Sequence, residues 1–371
     1  MPLDPFFAER LRVHRRYLIR QRIDAFRRRM TTGGPPLGWS RSAAAEVTVT
    51  SEPRLPQPAG SAHSRARAKH RRAALAWDRN ELKTVGTAGP DARITEHDVP
   101  VEGYPSVRVR IYHPDPEPAG PVPAWLTFFG GAFRIGGIDY PTTDAANRRR
   151  AVDAGVAMVA VDYALAPEHR FPTQIEQAHA ALIWLHDNAA QLGIDPERLG
   201  VAGTSAGASI AAALTIANRD RTQVPIRLVL LEVPVADLTG RHLDLRATRA
   251  LGIPSVIALR ELRSVARTYL ARASDAKNPL ASPLRAGSHA GLPEAVILTA
   301  EYDPLRGDGI AYAAKLRAAG VAASAVQYLG VTHDTAIFTG VLPAARRWHS
   351  DVVATLARLH DVSGAAPRSG S

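Results

Sequence analysis

Gly203, Thr204, Ser205, Ala206 and Gly207 stand between a short apolar run, residues 199–202, and an Ala-rich run with helical character, residues 208–218. A Gly-x-Ser-x-Gly that ends a strand and opens a helix is a nucleophile elbow. The backbone reverses so sharply at its serine that strand and helix come into contact, and a Cβ at either glycine would clash. Such a turn therefore requires a buried strand, a helix packed behind it and open space above. The Ser205 hydroxyl is expected over the edge of the sheet. The N–H of Ala206 is expected at a helix N-terminus, where orphan donors and the helix dipole favour a developing oxyanion.

The flanking sequence supplies the rest of such a sheet. Residues 94–101 and 106–112 read as two early strands, the second alternating Val107, Val109 and Ile111 with Arg108 and Arg110, as a half-buried antiparallel pair would. Short apolar runs follow at 124–129, 156–161, 199–202, 228–233, 295–300 and 325–329. Helical stretches separate them at about 140–153, 173–191, 206–219, 308–319 and 342–359. Buried apolar strands alternating with helices predict an α/β fold with a mostly parallel, doubly wound sheet. Between the sixth and seventh strands the chain is too long for a simple crossover. Residues 237–285, with helical periodicity at 257–270, are expected to form a cap insertion.

In such a sheet functional side chains cluster at the C-terminal ends of the strands. Asp303 follows the strand 295–300 and His333 follows the strand 325–329. The chain order Ser205, Asp303, His333 is that of the α/β-hydrolases. In that chemistry the imidazole takes the serine proton and returns it to the leaving group, while the carboxylate holds the tautomer. Glu301 and Asp308 are rival acids, Glu301 too close to the strand and Asp308 already in the next helix.

Outside this body the chain changes character. Residues 1–80 hold 17 Lys+Arg against 6 Asp+Glu, whereas residues 81–371 hold 29 of each, so the net charge of +11 belongs to the N-terminal arm. Residues 1–30 read as a basic amphipathic helix, either a cap packed on the domain or a tether to anionic surfaces. A Pro/Gly/Ser/Ala-rich connector is expected over 31–64, a second cap helix and linker over 65–90, the catalytic domain over 91–362 and a flexible tail over 363–371. The neutral body argues against a specific nucleic-acid partner. The sequence has no cysteine, which excludes thiolate catalysis and cysteine metal sites. The arm offers no cleavable apolar leader, and cytoplasmic residence is the expectation. A homodimer is compatible with all of this.

Two further stretches carry a resemblance. Phe128-Phe129-Gly130-Gly131-Ala132-Phe133 follows the third strand, and Asp162-Tyr163-Ala164-Leu165-Ala166-Pro167-Glu168-His169-Arg170-Phe171-Pro172 follows the fourth. With Gly203–Gly207, the segment from Glu301 to Arg306, and His333, they resemble the hormone-sensitive-lipase-like family of α/β-hydrolases, in its bacterial esterase branch with Thr before the nucleophile. That resemblance, over residues 90–360, implies an eight-stranded sheet under a helical cap, no cofactor or metal, and hydrolysis of short- to medium-chain carboxylic esters. It also implies an oxyanion hole from the backbone N–H groups of Gly131, Ala132 and Ala206. Where the family has His-Gly-Gly-Gly, this chain has Phe129-Gly130-Gly131-Ala132. Alanine at the last position is costly only if the backbone there needs φ > 0, by ~1–2 kcal/mol. A phenyl ring lacks the polar contacts by which an imidazole braces that loop. The alternative reading, a weak or inactive hydrolase fold that binds a small molecule, rests on Phe129.

Overall fold

In the computed structural model of the chain, residues 1–13, 62–114 and 120–361 are described. Residues 1–58 and 59–371 form separate units. In the first, residues 5–13 are helical. The remainder of the expected arm helix, nearly all of the connector and the expected tail lie outside the described residues.

The second unit holds an eight-stranded sheet. Its strands are β1 (Ile94–Val101), β2 (Tyr104–Tyr112), β3 (Val122–Phe128), β4 (Ala157–Val161), β5 (Ile194–Thr204), β6 (Leu228–Glu232), β7 (Glu294–Ala300) and β8 (Ala323–Tyr328). They lie in the order β1-β2-β4-β3-β5-β6-β7-β8. β2 runs antiparallel to both β1 and β4, and the other pairings are parallel. Val107, Val109 and Ile111 are buried on β2, while Arg108 and Arg110 turn outward to Glu96, Asp139 and Asp162. That is the expected alternation. In the middle of the sheet β4 and β6 are buried along their whole length, because helices cover both faces.

The helices are α1 (Ala62–Thr84), α2 (Pro141–Ala154), α3 (Thr173–Asp187), the short α4 (Ala189–Leu192), α5 (Ala206–Arg221), α6 (Leu245–Ala250), α7 (Ser255–Tyr269), α8 (Arg306–Ala318) and α9 (Pro343–Ala357). α5 is buried from Ala206 to Asn218. Its alanines leave the helix thin enough to lie close against the strand it follows. α6 and α7 occupy the expected insertion.

Three expectations need correction. β8 is not a buried apolar strand: it is the last strand of the sheet, so only Tyr328 is fully covered and Val326 faces solvent. β5 begins at Ile194 rather than near 199, its polar start tied by Arg198 to Asp195 and to the Pro121 carbonyl. The helix expected over 173–191 breaks at Asn188, whose side-chain amide donates to the Trp184 carbonyl at 2.8 Å.

Candidate active site

At the end of β5 the chain turns into α5 at Ser205, whose φ is 55°. A serine in the left-handed region is strained, and the surroundings hold it there. Its N–H donates to the Glu232 carbonyl of β6 at 2.8 Å. The two glycines leave no room for substitution: a Cβ on Gly203 would sit 2.3 Å from the Gly207 carbonyl oxygen, and one on Gly207 would sit 2.1 Å from that of Phe128. The first N–H groups of α5, beginning with Ala206, have no intrahelical acceptor.

Asp303 follows β7 and His333 follows β8, adjacent parallel strands. Their loops are tied together, since Tyr302 N–H donates to the Val331 carbonyl at 2.9 Å and Gly330 N–H to the Glu301 carboxylate at 2.7 Å. His333 Nδ1 lies 2.7 Å from Asp303 Oδ2, and His333 Nε2 lies 3.0 Å from Ser205 Oγ. The other Asp303 oxygen accepts the Leu305 N–H at 2.9 Å, which fixes the carboxylate's rotation. Asp303 is 2% exposed, whereas the His333 side chain keeps 32%, so the imidazole is reachable from the cavity while its partner is sealed. Burial works against the imidazolium, but the charge and hydrogen bond of Asp303, with the charge of Asp334, outweigh it and raise the His333 pKa to about 9.

The rival acids are engaged elsewhere. Glu301 holds Gly330. Asp308, on the first turn of α8, accepts the N–H groups of Ala236 and Asp237 at 2.9 and 3.0 Å. Burial raises its pKa to about 7 against those two amides, helped by the charges of Asp237 and Asp303.

The loop after β3 faces the elbow: a Cβ on Gly130 would stand 3.4 Å from that of Ser205. Gly131 has φ 130°, and Ala132 and Phe133 have φ 53° and 60°. Alanine at 132 thus carries the ~1–2 kcal/mol of left-handed strain that glycine would escape. The N–H groups of Gly131 and Ala132 have no acceptor among the described residues. The Gly131 carbonyl accepts the N–H groups of Arg134 and Ile135 at 3.0 and 3.1 Å. Phe133 stacks on Tyr269 of α7, ring centroids 3.7 Å apart, and Arg71 of α1 donates to the Arg134 carbonyl at 3.0 Å. Phe129, where an imidazole was missed, stacks on Tyr163 with centroids 4.1 Å apart, and the Tyr163 hydroxyl donates to the Phe129 carbonyl at 2.8 Å. The loop is braced by aromatic packing and one hydroxyl in place of a polar ring.

These residues open into a cavity of about 400 Å³ lined by α1, the β3 loop, α2, the elbow and the His333 loop. Beneath it Glu232, 1% exposed, accepts hydrogen bonds from Arg150, Thr204 and Trp348. Tyr163 lay in a stretch that carried the resemblance but was given no role, and sequence reading missed Tyr269, Arg71 and Glu232. A carboxylate inside the apolar run 228–233 was a visible signal for Glu232; nothing local pointed to Arg71 or Tyr269.

A family model described as the alpha/beta hydrolase fold matches residues 125–337. The carboxylesterase NlhH of Mycobacterium tuberculosis (strain CDC 1551 / Oshkosh) is 36% identical over 268 residues, 71% of this chain and 82% of that protein. The ethyl acetate hydrolase of Pseudomonas putida is 37% identical over 229 residues, 61% of this chain and 70% of that protein. Among solved structures, EstE1, a thermostable carboxylesterase cloned from a metagenomic library, superposes with a TM-score of 0.72 at 35% identity, covering 79% of this chain and 97% of EstE1.

Proposed function

Since the chain belongs to the hormone-sensitive-lipase-like family of α/β-hydrolases and is an ester-hydrolysing enzyme, we propose that it cleaves short- to medium-chain carboxylic esters through an acyl-enzyme on Ser205. His333 accepts the Ser205 proton as Oγ attacks the ester carbonyl. Asp303 holds the imidazole with Nε2 toward the serine and stabilises its charged form. The carbonyl oxygen, now an anion, is received by the N–H groups of Gly131, Ala132 and Ala206. His333 then protonates the leaving alkoxide, and a water activated by the same imidazole releases the acid.

The observation that carries this reading is the continuous line of hydrogen bonds from Ser205 through His333 to Asp303, opening on a cavity with unengaged backbone donors. A volume of about 400 Å³ suits a small ester, being at the lower end of the range for ligand sites. The packing around Phe129 supports this reading over that of a binding protein, since Tyr163 braces the loop without a polar ring at 129.

A fluorophosphonate probe should label Ser205 in the wild type and leave His333→Ala essentially unlabelled, because a serine hydroxyl is a weak nucleophile without its base. Asp303→Asn should retain slow labelling, with kcat on p-nitrophenyl esters lowered about 10⁴-fold. Mass spectrometry of the labelled peptide decides the matter: an adduct on a different serine, or none on folded protein, excludes this assignment.

A further inference from the structure

Glu232 is a carboxylate, 1% exposed, at the end of an interior strand whose other residues are leucine and valine. Both of its oxygens are engaged. Oε1 accepts from Arg150 Nη2 of α2 at 2.8 Å and from the Thr204 hydroxyl at 3.1 Å, while Oε2 accepts from the same Nη2 at 3.0 Å and from Trp348 Nε1 of α9 at 2.7 Å. Its main-chain carbonyl accepts the Ser205 N–H at 2.8 Å. One residue therefore holds the backbone of Ser205 and, through its side chain, the residue before it.

A buried ion pair is a poor source of net stability, because desolvating two charges costs about as much as their attraction returns, and apolar side chains of similar volume often serve as well. What the bonds of this carboxylate supply is fixed direction. The strand end needs it: Ser205 has φ 55°, and Val233, next to Glu232, has φ 44°. A β-branched residue in the left-handed region is an outlier, and strain of this kind persists only where the surroundings over-determine it. Val233 N–H is held by the Leu298 carbonyl of β7 at 2.8 Å. On the far side of Glu232, Trp348 stacks on Tyr328 with ring centroids 4.4 Å apart, and the Tyr328 carbonyl accepts the Glu301 N–H at 2.9 Å. Tyr328 stands at the root of the loop to His333, and Glu301 at the root of the loop to Asp303. The same carboxylate thus reaches the serine on one side and the support of the imidazole on the other.

Resting on the reading of Ser205 as nucleophile, we infer that Glu232 is a positioning residue: with Arg150 and Trp348 it fixes the elbow through the Thr204 hydroxyl and so sets Ser205 Oγ within reach of His333 Nε2. It transfers no proton and, being sealed beneath the elbow, touches no substrate. Its loss has a distinct signature, slower acylation of a folded enzyme whose substrate binding is intact.

The test uses the Thr204 hydroxyl, which can be removed without stranding the buried charge, because Arg150 and Trp348 remain on Glu232. Thr204→Val keeps the shape of the side chain, and Thr204→Ser keeps the hydroxyl. The measurements are the rate constant for fluorophosphonate labelling of Ser205, and kcat and KM on p-nitrophenyl butyrate. Thr204→Val should lower the labelling rate and kcat about ten- to a hundredfold, the scale of a nucleophile displaced by up to an ångström, with KM little changed. Thr204→Ser should recover most of that loss. Glu232→Gln, of nearly equal volume, should lower kcat further while the midpoint of the pH profile stays where it is in the wild type, since the charges that raise His333 are those of Asp303 and Asp334. If that variant does not fold, the Thr204 pair decides. A Thr204→Val enzyme labelled as fast as the wild type, a Thr204→Ser enzyme as slow as Thr204→Val, or a Glu232→Gln enzyme whose only defect is a shifted midpoint overturns the inference. A wild type that the probe leaves unlabelled at Ser205 would instead count against the nucleophile reading.

Discussion

His333 sets the working range of the site. Its pKa of about 9 follows from the pairing with Asp303 and the nearby charge of Asp334, which outweigh the cost of burial. Below that pH the imidazole is largely protonated and has no lone pair on Nε2 for the serine proton. We expect kcat/KM to rise with pH through a midpoint near 9. Asp334→Asn should move the midpoint down. A profile that is flat or falling from neutral pH upward would contradict the assignment. The same shift acts on stability in the opposite sense: the ion pair contributes fully below the ordinary histidine pKa of about 6.5, and the contribution is lost as pH rises through the folded value. High pH therefore favours turnover while weakening the fold locally. Phe129 shows how a single side chain can mislead when read alone, since its meaning depended on Tyr163, which packs a flat ring against it.

At the level of elements, the loop after β3, which we propose receives the oxyanion, is held from two sides by helices outside the sheet. α1 reaches it through Arg71, which bonds the Arg134 and Ala166 carbonyls, and α7 through Tyr269, which stacks on Phe133. Consecutive left-handed residues at 132 and 133 persist only because such contacts over-determine them. Tyr269→Leu removes the stacked ring at a site 1% exposed. Its main effect should be on kcat, because the loop donors matter most once charge develops on the oxygen. A fall of about tenfold is expected, below the ~10²–10³ seen when an oxyanion donor is lost outright. An effect confined to KM would mean that α7 contacts the substrate and does not brace the loop.

For the molecule as a whole, the division at residue 58 separates residues 1–58, with 11 Lys+Arg against 5 Asp+Glu, from the unit that contains the sheet, the equally basic α1 and every residue placed in the site. We propose that the arm contributes to substrate selection and not to folding of the sheet. A chain beginning at residue 59 should remain folded, with a Tm close to that of the full chain and a changed preference along a series of p-nitrophenyl acyl esters. Unchanged kinetics on every ester, with loss only of salt-sensitive binding to anionic vesicles, would make the arm a tether.

The strand–helix alternation, the elbow and the three residues Ser205, Asp303 and His333 could all be read along the chain. Each rests on a short-range rule: the burial of both faces of a parallel sheet, the close approach that only glycine permits, and the convergence of side chains at the C-terminal ends of parallel strands. The register that brings Asp303 Oδ2 to 2.7 Å from His333 follows from the pairing of β7 with β8, and so also lay within reach of topology. The bracing of the loop after β3 did not. It depends on residues 71, 163 and 269, far apart in sequence, and on contacts that form only when two helices close over the sheet. The exposure of β8 was equally hidden, because an apolar strand at an edge and one in the centre share the same local pattern.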